Sequence, residues 1–131
     1  MINEIANAVY KFYAGTEAVK SILPKFYFQQ ASQTALLPYA VFTLGSSNIL
    51  EIAGTNTNRI ETIELNISIY ADPDDGGTQA VNIAEAITSN LDWTVLDFSG
   101  FIAIKRIGYE TIGQIDDYYA IILTYEILVK G

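Results

Sequence analysis

The feature that most constrains this chain is a two-residue alternation near its middle. In "RIETIELNISIYA", residues 59–71, apolar side chains take every second position from Ile63 to Ala71, with polar or tyrosine side chains between them. Successive side chains of a strand point to opposite sides, so this pattern predicts a strand with one buried face. The phase of the alternation slips near Thr62, which predicts a β-bulge there.

The same alternation closes the chain. In "YYAIILTYEILVK", residues 118–130, one face holds the apolar and aromatic side chains of Tyr119, Ile121, Leu123, Tyr125, Ile127 and Val129. Asp116 and Asp117 mark a turn before it, and residues 101–113 are predicted as the preceding strand. "KFYFQQ", residues 25–30, is predicted as a short strand. "LPYAVFTLG", residues 37–45, barely alternates and is predicted as a strand covered on both faces.

Two segments show helical spacing instead. Residues 2–15 form an amphipathic pattern that ends at Gly15, and a second helix is predicted from Asp75 to Leu91. Its inward face is predicted to hold Val81, Ala84, Ile87, Thr88 and Leu91. A short helix over 16–23 would begin at Thr16 as N-cap. The order and the hairpin-length connections predict a single α+β domain over residues 1–131, a mainly antiparallel sheet with two main helices packed on one face.

Residues 46–58, "SSNILEIAGTNTN", are predicted as a hairpin tip because "GTNTN" is a strong turn signal. The tip carries Ile49, Leu50, Glu51 and Ile52, and a lone monomer gains nothing by exposing such apolar residues. The alternative is that this segment folds back as an ordinary strand.

The stretch "YADPDDGGTQAVNIAEAI", residues 70–87, raises the question of a metal or phosphate site. Asp72, Asp74 and Gly77 match positions 1, 3 and 6 of a calcium EF-hand loop, but Gly76 and Ile83 stand where ligands at positions 5 and 12 are needed. A phosphate loop would need a lysine at the helix start, and the acidic residues would repel the anion. The stretch therefore indicates a turn in which Asp74 or Asp75 caps the following helix.

The amino-acid composition excludes most kinds of catalytic site. The chain has no cysteine and no histidine, so it lacks a thiol nucleophile, a zinc-thiolate site and the commonest general base. No lysine stands in a Ser-x-x-Lys pattern, and the paired acids Asp116–Asp117 and Glu61 with Glu64 suggest solvated charge. We therefore expect neither an enzyme nor a cofactor. The net charge is −8, with no basic cluster for nucleic acid, and no stretch is long enough to span a membrane.

The order of these signals resembles the tail terminator (tail completion) proteins of long-tailed bacteriophages. The resemblance runs from an N-terminal amphipathic helix through "AVKSILPKFYF", the Pro-Tyr strand "LPYAVFTLG" and the long strand ending in "ISIYA". It continues through the helix "GGTQAVNIAEAITSNL" to the final strand in "DDYYAIILTYEILV". It covers nearly the whole chain.

The resemblance implies a structural virion protein, assembled in the host cytoplasm, that forms a ring, generally hexameric. The ring caps the head-proximal end of the tail tube, ends tube polymerisation and joins the tail to the neck or connector. Its implied partners are copies of itself, the tube protein and the neck protein, with DNA only passing through the lumen and no membrane contact. Alternatives are a head–tail joining neck protein of the stopper or adaptor type and, in a different class, a monomeric ligand-binding module.

For contacts between protomers or with the tube, the expected surface is the tip and the strand after it. Its residues are Ile49, Leu50, Glu51, Ile52, Arg59, Glu61, Glu64 and Tyr70. A second expected surface, Asp116, Asp117 and Tyr118, would form an acidic lumen or rim.

Overall fold

The structure is a computed structural model that describes residues 2–51 and 59–130, with the backbone alone for residues 46–51 and 59. Its elements in chain order are α1 Ile2–Gly15, α2 Glu17–Lys20, β1 Phe26–Phe28, β2 Tyr39–Glu51, β3 Arg59–Ala71, α3 Thr78–Leu91, β4 Phe101–Ile115 and β5 Tyr118–Lys130.

The strands form one five-stranded sheet in the order β1-β2-β3-β5-β4. Three of the four pairings are antiparallel, and the short β1 runs parallel to β2. The last strand of the chain therefore lies inside the sheet, between β3 and β4, while β4 and β1 form the two edges. The predicted fold class is confirmed: a mainly antiparallel sheet with two main helices, α1 and α3, on one face.

The alternating strands bury one face against the helices, as their pattern predicts. In β3 and β5 the side chains from Ile63 to Ala71 and from Ile121 to Val129 are buried at every second position. α3 covers this face with a stripe of small and branched residues at helical spacing. The stripe consists of Ala80, Ile83, Ala84, Ile87 and Leu91, and Thr88, predicted to face inward, is only half-buried.

The prediction that β2 is covered on both faces is wrong. Ala40 and Phe42 are buried, whereas Val41 is half-buried and Thr43 is exposed. The weak alternation in the sequence has another cause: tyrosine and valine on the open face are as apolar as the residues on the core face. Phe42 itself stacks on Phe26 of β1, with ring centroids 4.8 Å apart.

Hydrogen bonds at the N-terminal helices differ from the predicted cap. Thr16 does occupy the N-cap position of α2, but its hydroxyl donates to the Phe12 carbonyl at 2.6 Å and caps nothing. The buried Tyr13 hydroxyl donates to the Leu23 carbonyl at 2.6 Å. That bond joins the end of α1 to the segment that enters β1.

The acidic stretch before α3 is a turn with a helix cap, as predicted. One Asp75 carboxylate oxygen accepts the Gly77 N–H at 3.1 Å, and the other accepts the Gln79 N–H at 3.0 Å. Asp72 accepts the Asp74 N–H at 2.9 Å in an Asx turn. The helix begins at Thr78 and not at Asp75. Gly76 and Gly77 have positive φ angles, so they belong to the turn and not to the right-handed helix.

The β2–β3 hairpin differs from prediction in two ways. Strand β2 continues to Glu51, so residues 46–51 belong to a strand, as the alternative had it, and residues 52–58 of the predicted tip lie outside the described part of the chain. The predicted bulge is present, but the extra residue stands in β2, between Ser46 and Asn48, opposite Ile63 and Thr62. Both Thr62 and Ile63 are buried, which explains the slip of the alternation in β3.

Candidate assembly surfaces

The sheet has one face free of helices, and a row of four tyrosines crosses one end of it. The rings of Tyr27, Tyr39, Tyr70 and Tyr118 come from β1, β2, β3 and β5, with neighbouring centroids 6.1, 5.2 and 5.0 Å apart. Tilted and edge-on contacts of this kind are favourable for aromatic pairs. Burial, and then the neighbouring tyrosines, raise the pKa of Tyr39 above its ordinary value.

A concavity of about 400 Å³ lies beside this row. Tyr39, Tyr70 and Tyr118 line it together with Gln29 and Ser68. Amphipathic rings and neutral hydrogen-bonding groups form a wet, half-apolar surface of the type found at protein interfaces.

Further along the open face a short polar network crosses two strands. Thr124 donates a hydrogen bond to the Asn66 side-chain oxygen at 2.9 Å, and the Asn66 amide donates to Glu64 at 3.0 Å. These bonds fix the orientation of the Glu64 carboxylate above the centre of the sheet.

The edge strand β4 presents a different surface, because three β-bulges interrupt it. The pairing with β5 skips Ile102, Ile107 and Ile112 in turn. These isoleucines lie five residues apart and are 46%, 50% and 38% exposed. Tyr109 and Ile115 on the same strand are also exposed. Of the twelve exposed large hydrophobic side chains in the described part of the chain, five therefore lie on one edge strand.

A partly buried polar contact holds β5 to the end of α3 and to β4. The Tyr125 hydroxyl, on a fully buried ring, donates to one Asp92 carboxylate oxygen at 2.6 Å. Arg106 of β4 lies 3.4 Å from the other oxygen and places its guanidinium 5.9 Å from the Tyr109 ring centre. Burial and the Asp92 carboxylate raise the pKa of Tyr125 far above its ordinary value.

Of the residues predicted as a site, the structure brings Tyr70 and Tyr118 into contact in the tyrosine row. Asp116 and Asp117 form the exposed β4–β5 turn next to Tyr118, with Asp116 in the left-handed region at φ 49°. Glu64 lies six residues along β3 from Tyr70, roughly 20 Å away at the rise of a strand.

The remaining predicted residues belong to the other end of the hairpin. Glu61 is half-buried in β3, near the end where Ile60 pairs with Lys130. Ile52 and the side chains of Ile49, Leu50, Glu51 and Arg59 lie outside what the structure describes. Tyr70 and Tyr118 therefore lie at one end of β3 and Glu61 near the other, with Glu64 between them.

Sequence reasoning missed the bulged isoleucines of β4. A signal was present: glycine inside a strand pattern indicates a bulge, and "Ile-Gly" occurs at 107–108 and again at 112–113. The position of β4 at the edge was not predictable, because it depends on the insertion of β5 between β3 and β4.

Within residues 2–51 and 59–130, no group of three or more metal-ligating side chains occurs. Among the same residues, no helix is long and apolar enough to cross a membrane. What the described surface does offer is an aromatic face and an apolar edge.

Solved structures with the same fold include viral particles. A chain in the virion of a native gene transfer agent (GTA) particle is 17% identical, with a TM-score of 0.75, over 98% of this chain and 96% of that one. A second solved chain, identified only by a sequence number, is 14% identical, with a TM-score of 0.54, over 93% and 94% of the two chains. At these identities the likeness shows the fold. No curated protein sequence matches the chain significantly.

A family model gives the more specific result. The model for "Tail completion protein gp17" matches residues 7–130, from the first helix to the last strand. This is a family of structural virion components and not a family of enzymes. The resemblance found in the sequence is confirmed, and the chain belongs to the tail completion protein family of bacteriophages.

Proposed function

We propose that this protein forms a hexameric ring at the head-proximal end of the phage tail tube. There it ends tube polymerisation and joins the tail to the neck or connector. The family match over residues 7–130 carries the proposal, because completing a tail means stopping the growth of its tube. The fold shared with a chain of the GTA virion supports a place in an assembled particle.

The character of the described surface supports an assembled state. Five exposed apolar side chains on β4 and an aromatic row on the open face are costly to leave in water in a monomer. A closed ring covers such surfaces and hides its sheet edges. A small-molecule site would instead offer an enclosed pocket with convergent polar groups.

We assign the tube contact to the β2–β3 hairpin and the open face of the sheet. The residues proposed for it are Ile49, Leu50, Glu51, Ile52, Arg59, Glu61, Glu64 and Tyr70. The exposed turn Asp116–Asp117 with Tyr118 is proposed to form an acidic rim or lumen. Its charge would let DNA pass without holding it.

The first experiment measures the mass of the purified protein by light scattering, alone and mixed with tube protein of the same virus. Electron microscopy of the mixture measures tube lengths. A discrete ring, or a monomer that caps tubes and halts their growth, supports the proposal. A protein that leaves tube length unchanged but binds the head connector contradicts it and favours a neck protein. A monomer that binds neither contradicts any role in joining.

A further inference from the structure

The two edges of the sheet carry different apolar surfaces, exposed isoleucines at one edge and a concavity at the other. We define the isoleucine ridge as Ile102, Ile107 and Ile112, the exposed bulge residues of β4. At the opposite edge, beside β1, lies a concavity of about 660 Å³, here called the Leu36 cavity. Its apolar lining is Pro24, Tyr27, Ala35, Leu36 and Leu37, and its polar lining is Lys25, Ser32 and Thr34.

Both surfaces expose large apolar side chains to water, which is unfavourable. Leu36 is 81% exposed and Ile107 is 50% exposed. Neither edge is suited to adding a strand. The bulges interrupt the outer edge of β4 every five residues, and β1 is only three residues long. Contact at these edges must therefore be made by side chains.

The charged residues at the two surfaces are complementary. Glu110 lies on β4 between Ile107 and Ile112, and among the described residues no cation forms an ion pair with it. The basic residues near the ridge are already opposed by acids: Arg106 contacts Asp92, and Lys105 stands opposite Glu126 on β5. The Leu36 cavity is lined by Lys25, which is exposed, and by no acid.

We propose that Ile107, in the middle of the isoleucine ridge of one copy, docks into the Leu36 cavity of the next, with Glu110 facing Lys25. A ring built from identical chains needs two different, complementary patches on opposite sides of each chain. The ridge and the cavity meet that requirement. A patch that paired with its own copy would give a dimer and not a ring. The occupant of the β4 edge is thus a second copy of this chain. The inference rests on the proposed ring and goes beyond it by naming the interface.

The chain has no cysteine, so introduced cysteines report contacts without background. Single variants Ile107→Cys and Leu36→Cys are mixed under conditions where light scattering shows an oligomer, alone or on tubes, and treated with a short bismaleimide. The expected product is a cross-linked pair containing one of each variant, with little product from either variant alone. Ser89→Cys, exposed on α3, mixed with Ile107→Cys is the control and should give no more than background.

A charge exchange tests the same interface without cross-linking. Glu110→Lys and Lys25→Glu should each weaken association, and the double variant should regain most of the loss. Ile107→Glu should weaken association by roughly 30-fold or more, as for a central apolar contact. Because Glu110, Lys25 and Ile107 are exposed, thermal unfolding of the three single variants should stay close to wild type.

The outcomes separate this inference from the proposed function. If a ring forms or tubes are capped, but no mixed cross-link appears and the charge variants associate normally, the interface is wrong and the ring stands. Cross-linking of Ile107→Cys to itself would also overturn the interface, because it shows a symmetric contact. If the wild type neither oligomerises nor affects tubes, the proposed function fails and this interface fails with it.

Discussion

Replacing Tyr125 with phenylalanine tests whether the contact between β5, α3 and β4 stabilises the fold. The substitution removes one hydroxyl from a fully buried ring and leaves the ring in place. That hydroxyl donates to Asp92 at 2.6 Å, and Asp92 keeps Arg106 at 3.4 Å as a second partner. The change therefore removes one hydrogen bond to a charged group and creates almost no cavity.

The expected loss follows from that contact. Hydrogen bonds to charged groups contribute about 1.5–3 kcal/mol to the free energy of unfolding. The Asp92 side chain is 26% exposed, so water can partly replace the lost donor. We therefore expect a loss of about 1.5–2 kcal/mol at pH 7 for Tyr125→Phe. For a chain of this length that corresponds to a fall in Tm of roughly 5–10 °C.

The effect should depend on pH in one direction. Burial, and then the hydrogen bond to Asp92, raise the pKa of Tyr125 above its ordinary value of 10.0. Above that pH the unfolded chain loses the Tyr125 proton while the folded protein keeps it, so stability falls as the pH rises. The stabilisation is complete below about pH 10, and the difference between wild type and Tyr125→Phe should narrow above it.

Urea unfolding followed by circular dichroism measures the free energies at pH 7 and at pH 11. Tyr118→Phe is the matched control, since its ring is half-buried on the same strand and its hydroxyl has no hydrogen bond within the described residues. It should cost less than about 0.5 kcal/mol. Equal losses for both variants, or a difference that grows above pH 10, would refute the reasoning. Two protein concentrations show whether association contributes.

Three further predictions concern the cap, the turn and the core. Asp75→Ala should destabilise the protein by about 1 kcal/mol in the same urea assay, because it removes the acceptor of two backbone N–H groups. Asp74→Ala should be nearly neutral, because the Asp74 side chain caps nothing. Gly77→Ala should cost more than about 2 kcal/mol, because at φ +91° its Cβ would stand 2.6 Å from the Tyr119 ring; a normal melting temperature would contradict this. Phe42→Ala should cost about 3–5 kcal/mol, measured by thermal unfolding, since the ring is buried and stacked on its neighbours.

The sequence pattern predicted the structure correctly where that structure depends on residues close together in the chain. The alternation in residues 59–71 and 118–130 predicts both central strands and their buried sides, and the spacing in residues 2–15 predicts the first helix to its last residue. The turn and cap at Asp75 also follow from neighbouring residues, because their hydrogen bonds span only two to four positions.

Predictions failed where a segment's environment depends on distant residues. Whether β2 has one covered face or two depends on which elements lie above it. Residues 46–51 form a strand because β3 supplies hydrogen-bonding partners as far as Arg59. The start of α3 is an exception with a local cause, since the adjacent Gly76 and Gly77 adopt positive φ angles and the helix begins only at Thr78.

The sequence by itself determined the fold class, the buried faces of the central strands and, through its resemblance, the family. Tertiary structure alone decided which residues are exposed at the edges and on the open face of the sheet. The order β1-β2-β3-β5-β4 places the last strand inside the sheet and leaves β4 at its edge. That order depends on pairings between strands distant in the chain, such as Tyr70 with Ala120, which no local periodicity encodes. Those distant pairings place the isoleucine ridge at an edge and bring Tyr118 into the tyrosine row.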